Sequence, residues 1–162
     1  MRKIMILVLV LSVASLMYAF AGDNKEEAWF DMKNCEMCAS FMETPDLMAN
    51  MSMEHLNISN GMMCVTSAKP EHLEAFRKAM TSMDEKAAKM MAGEEMKLCN
   101  ACKSMGSLMA QGATMEKVET ANGMVSLMTS DKPEVVTMIH EWNDKTNAAM
   151  KKMHEHMVDA KE

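Results

Sequence analysis

Four cysteines in this chain are spaced to share one chemistry. Cys35 and Cys38 sit in Met32-Lys33-Asn34-Cys35-Glu36-Met37-Cys38, and Cys99 and Cys102 sit in Met96-Lys97-Leu98-Cys99-Asn100-Ala101-Cys102. Both stretches read Met-Lys-x-Cys-x-x-Cys. Two residues between cysteines let both sulfurs reach one ion. Two such pairs can therefore build one tetrathiolate for zinc, or two near-linear thiolate pairs for Cu(I). The competing chemistry is a disulfide. A bridge within one motif closes a tiny loop, whereas a bridge between motifs closes about 60 residues and is worth roughly 4 kcal/mol in chain entropy. The gap between the motifs is longer than in a zinc ribbon, so spacing leaves ion and disulfide both open. Redox catalysis of the thioredoxin type fits less well. That fold needs a cis-proline before a strand, and neither Pro45, Pro70 nor Pro133 is placed for it.

Softer ligands cluster elsewhere. In an extended chain Met51, Met53 and His55 fall on one side, and sulfur with imidazole suits Cu(I). On a helix Met150, Met153, His154 and Met157 share a face at i, i+3, i+4, i+7. Both sets also read as packing, because methionine fills irregular gaps in cores. Cys64 stands outside the repeated pattern and reads as a small strand residue. His72 and His140 read as surface residues. No phosphate loop, Ser-His-Asp order or carboxylate pair points to catalysis, so no enzyme is expected.

The chain has 162 residues, a net charge of −6 and 25 methionines. Leucine is scarce beyond the first 21 residues, so methionine has taken over as the main large aliphatic residue. An acidic chain has no basic face for nucleic acid or for an anionic membrane surface. Arg2 and Lys3, the apolar run over residues 4–11 and Ala19-Phe20-Ala21 make residues 1–21 a secretory signal peptide. Its removal leaves no segment for membrane insertion and puts all five cysteines in an oxidising compartment, periplasmic or secreted.

The elements that must position the cysteines recur. Asn60-Gly61-Met62 matches Asn122-Gly123-Met124, and Thr66-Ser67-Ala68-Lys69-Pro70-Glu71 matches Thr129-Ser130-Asp131-Lys132-Pro133-Glu134. With the cysteine motifs this makes an internal duplication, residues 22–93 and 94–162. Each unit predicts a helix after its cysteines (36 to about 53, and 100–111), then a hairpin, then a long helix. Asn60-Gly61 and Asn122-Gly123 suit type I′ turns. That register sets Leu56 against Val65 and Ile58 against Met63, and Val118 against Leu127 and Thr120 against Val125, on the apolar face; the extra Met128 predicts a bulge. Cys64 then opposes Asn57 on the other face. Ser67 and Ser130 or Asp131 suit N-caps, with Pro70 and Pro133 in the first turn. Leu73, Phe76, Met80, Met83, Ala87 and Met90 form the buried stripe of the first long helix. Val136, Ile139, Asn143, Thr146, Met150 and Met153 form the second, with Asn143 and Thr146 making its middle shallower. A lone hairpin is marginal in water. The expected fold is therefore α+β: two αββα units in one compact domain, their hairpins joined in an antiparallel sheet with long amphipathic helices on its apolar face.

The order Cys-x-x-Cys, helix, Asn-Gly hairpin, Lys-Pro-Glu, helix resembles that of ferredoxin-like heavy-metal-associated domains. The resemblance implies Cu(I) or a similar ion at Cys35 and Cys38 and at Cys99 and Cys102. The methionine stands three residues before the first cysteine rather than two, the closing helices are longer, and the second unit lacks a final strand. Together these features point to a periplasmic or secreted protein that binds copper or zinc for buffering or transfer, with a metallochaperone or a second copy as partner. A methionine-based oxidant scavenger and a disulfide-stabilised interaction protein are the alternatives.

Overall fold

The computed structural model describes residues 28–44 and 46–159, with side chains as far as residue 154. The expected signal peptide, residues 1–21, and Pro45 lie outside the described residues. Four helices and four strands follow in the order α1 (Glu36–Met42), β1 (Met51–Ile58), β2 (Gly61–Ala68), α2 (Leu73–Met91), α3 (Asn100–Ala110), β3 (Thr114–Thr120), β4 (Gly123–Thr129) and α4 (Pro133–Asp159). The strands form one antiparallel sheet in the order β1-β2-β4-β3. The expected α+β architecture, with two hairpins joined in a single sheet, is what the structure has.

The hairpins meet through β2 and β4, where Cys64 pairs with Ser126, Gly61 with Thr129 and Ser67 with Gly123. Here the turn assignment needs correcting. Ile58 pairs with Gly61 and Thr120 with Gly123, so the turn residues are Ser59-Asn60 and Ala121-Asn122. Asp46 is the sole non-glycine residue at positive φ among the described residues, which rules out type I′ turns. The glycines serve the junction instead. A Cβ on Gly61 would overlap the carbonyl oxygen of Met128, and one on Gly123 would overlap that of Thr66. Each hairpin brings its glycine to the point where the other hairpin's backbone approaches closest.

The register consequently shifts by two. Leu56 opposes Met63, Val118 opposes Val125, and Cys64 opposes His55 rather than Asn57. A shift of two keeps the same residues together on a face, but the helices cover the other face. Met62, Thr66, Ala68, Met124 and Met128 are buried, whereas Leu56 is 40% exposed and Val118 48%. Alternation alone could not choose, because β2 and β4 carry apolar residues on both faces. The ladder runs unbroken through Met128, so the predicted bulge is absent. The first helix also ends early, at Met42 rather than near residue 53. A short 3-10 turn (Met48–Asn50) follows, and Met51 already opens β1.

Two buried clusters line the covered face. One joins Phe41, Leu47 and Ala68 to Phe76 and Ala79 of α2 and to Met124 of β4. The other joins Cys35, Cys38 and Cys99 to Leu108, Met62, Met128, Ile139 and Trp142. Each helix after a hairpin reaches across to the other hairpin. Asp84 of α2 pairs with Lys117 of β3. On α4, His140 Nε2 donates to the carbonyls of Ile58 and Gly61, at 3.0 and 2.9 Å. His140 is thus half-buried and engaged, not a free surface residue. Asn143 and Thr146, expected to thin the packing of α4, are among its most buried residues. Asn143 Nδ2 donates to Asn57 Oδ1 and Trp29 Nε1 donates to Thr146 Oγ1. The α2 stripe is as expected around Phe76, with Ala79 added. Ser67 lies in β2 rather than at a cap, and Pro70 opens a 3-10 turn ahead of α2.

Candidate metal centre

Both cysteine motifs are built alike. Cys35 is the N-cap residue of α1 and Cys99 that of α3, each with an extended backbone. The second cysteine of each pair then falls in the first helical turn, where its side chain turns back over the helix start. Backbone bonds hold the two loops together. Glu36 N–H donates to the carbonyl of Lys97 (2.9 Å), and Lys97 N–H donates to Glu36 Oε1 (2.8 Å). Ala101, inside the second motif, donates its N–H to the carbonyl of Trp29 and accepts the Trp142 indole N–H. Ser40 closes the far side of α1, buried between Ser82 Oγ and Lys86 Nζ.

The four sulfurs converge. Cys35 Sγ lies 3.7 Å from Cys102 Sγ, Cys38 Sγ lies 3.7 Å from Cys99 Sγ and 3.9 Å from Cys102 Sγ. All four lie within 4.8 Å of one another. A tetrahedral ion with Zn–S bonds of about 2.3 Å sets its sulfurs about 3.8 Å apart. The site is therefore the size of a single ion. An iron–sulfur cluster spreads its thiolates over several irons and needs a wider cage. Cys35, Cys38 and Cys99 are buried and Cys102 is partly exposed, and all are free thiols. Sulfur contacts of 3.7–3.9 Å cross between the motifs, so the two Cys-x-x-Cys pairs share one cluster.

The electrostatics suit a cation. Burial opposes ionisation of Cys35. The backbone N–H groups of Cys99 and Cys38 and the neighbouring thiols outweigh it and bring Cys35 down to about 7. Cys38 is pushed up, by its hydrogen bond with Cys102, by burial and by the nearby negative charge. Cys99 is pushed up chiefly by burial. Cys35 ionises readily, whereas burial and the neighbouring sulfurs hold back Cys38 and Cys99, and a bound cation would offset that cost.

The remaining sequence candidates gather elsewhere. Met51, Met53 and His55 share the covered face of β1, and Met51 packs against the cluster around Phe41 and Leu47. Met150 and Met153 are half-buried on α4 and His154 is exposed; the Met157 side chain lies outside the described residues. Neither His55 nor His154 joins the group of four sulfurs. Cys64 is half-buried, its thiol pushed up by burial, with Thr66 Oγ1 as its hydrogen-bond partner. The roles of Glu36, Lys97 and Ala101 carried no sequence signal, because they act largely through backbone groups.

Comparison with protein-family models, with curated proteins and with solved structures finds no match for this chain. The centre therefore has to be interpreted from its own geometry.

Proposed function

We propose that this chain is a soft-metal-binding protein whose Cys35, Cys38, Cys99 and Cys102 hold one tetrahedral ion, zinc by preference, that ties its two halves together. The observation that carries this is the convergence of four cysteines from two distant motifs at the spacing of a tetrathiolate. The recurring order of motifs and the back-to-back hairpins are consistent with a duplicated unit whose two copies meet at the ion. The burial of three of the four sulfurs favours retention over rapid exchange. Partly exposed Cys102 is the sulfur through which a competing thiolate would begin to remove the metal. Cu(I) is the second occupant to consider, since thiolates accept it and the leader points to export into an oxidising space. Buffering or transfer of copper, with a metallochaperone as partner, remains the finer proposal.

An oxidant-scavenging role draws less support. Met62, Met124 and Met128 are buried, and Met42, Met91 and Met109 are the methionines strongly exposed among the described residues. The test is metal analysis of the reduced, folded chain after exposure to zinc and to Cu(I) separately. One zinc per chain, lost on replacing any one of the four cysteines by serine, is the expected outcome. A folded, reduced chain that takes up neither metal would overturn the proposal.

A further inference from the structure

A second set of soft donors lies between β1 and α4, apart from the four cysteines. His55 sits on the helix-covered face of β1, its ring edge-on to Trp142 with centroids 6.3 Å apart. Its Nδ1 is buried and has no hydrogen-bond partner. Leaving such a nitrogen unpaired forfeits the hydrogen bond that water would give it. Met53, two residues earlier in β1, shares the face of His55. The contacts of α4 fix what stands opposite. His140 bonds the carbonyl of Ile58, Asn143 bonds Asn57, and Asn147 Nδ2 donates to the carbonyl of His55 at 3.2 Å. Asn143, Asn147 and Met150 are spaced i, i+4, i+7 and share one helix face. One helical turn advances about 5.4 Å and two strand residues about 6.7 Å, so helix and strand stay nearly in step. At that pace the turn after Asn147 puts Met150 level with Met53 along the strand. Both residues are half-buried, and neither belongs to the two buried clusters.

We propose that Met53, His55 and Met150 form a second metal site, for a soft monovalent cation such as Cu(I) or Ag(I). The donor chemistry selects that class. Two thioethers and a neutral imidazole bring no negative charge, so they suit a monovalent soft ion and serve Zn²⁺ poorly. The ion would take the lone pair of His55 Nδ1. Partial exposure of both methionines gives it a path from solvent. This site stands whether or not the cysteines hold zinc.

The test uses the full chain, zinc-loaded, with methionine methyls labelled with ¹³C and nitrogens with ¹⁵N, titrated with silver nitrate. Silver first displaces zinc from the thiolates, which a zinc-sensitive dye follows. The next equivalent should shift the Met53 and Met150 methyls and the His55 imidazole nitrogens. The volume-conserving variants M53L and M150L, and H55Q, should weaken that equivalent at least tenfold, with zinc content and near-ultraviolet circular dichroism unchanged. Silver uptake that stops at zinc release would overturn the proposal. So would uptake indifferent to all three variants, or shifts spread over exposed Met42, Met91 and Met109. Failure of the cysteine centre would show separately, as a chain that never carried zinc.

Discussion

At the residue scale the four cysteines divide their work. Cys35 and Cys99 occupy N-cap positions, Cys38 and Cys102 lie in the first turn, and sulfur contacts of 3.7 Å run between motifs. Replacing Cys38 by serine should abolish zinc binding, while replacing Cys64, whose thiol hydrogen-bonds Thr66 Oγ1 and is not among the four converging sulfurs, should leave one zinc per chain by mass spectrometry. His55 supplies a pH prediction. Burial holds its imidazole below its ordinary value of 6.5. The unfolded chain therefore binds the proton more readily, and the stability tied to neutral His55 is complete above pH 6.5. It is lost as pH falls through the lower folded value. In urea titrations of the metal-free, reduced protein the midpoint should drop between pH 7 and pH 5, and drop less in H55Q. An equal drop in both would assign the acid sensitivity to other groups.

At the scale of elements, the two glycines and the two sheet faces make the clearest tests. Gly61 and Gly123 hold φ of 155° and 158° where a Cβ would strike the neighbouring hairpin. Replacing either by alanine should cost roughly 2 kcal/mol or more, as overpacking with backbone strain does, whereas Asn60→Ala should cost little. Met128, 2% exposed, should cost about 2–5 kcal/mol on truncation to alanine, and Val118→Thr on the open face less than about 0.5 kcal/mol. Chemical denaturation measures all five. These elements also show where sequence reasoning runs out. The cysteine motifs, the hairpins and the long helices were all legible, because each rests on local spacing. Gly61 was misplaced into the turn because a tight turn and a close backbone approach both demand glycine. The covered face was misassigned because Met62 and Met128 look no more apolar than Met63 and Leu127. Asn143 and Thr146 looked like surface intrusions because their partners, Asn57 and Trp29, are far away in sequence.

For the whole molecule the four-cysteine cluster is one of the places where the two halves of the chain meet, the β2–β4 pairing being another. Both tryptophans report on the cluster, since Trp29 and Trp142 bond the two sides of the Ala101 peptide inside the second motif. Removal of metal should therefore shift tryptophan emission. It should also lower the melting temperature by roughly 10 °C or more, because the site is assembled only in the folded chain. The open sheet face, with Leu56 and Val118 exposed, lies away from the centre and should not respond to metal. The most direct measurement is native mass spectrometry of the reduced chain, before and after zinc. The account predicts a single added zinc, retained in C64S and absent in C38S and C99S. A folded chain that binds no zinc, or binds it equally without those cysteines, would contradict it.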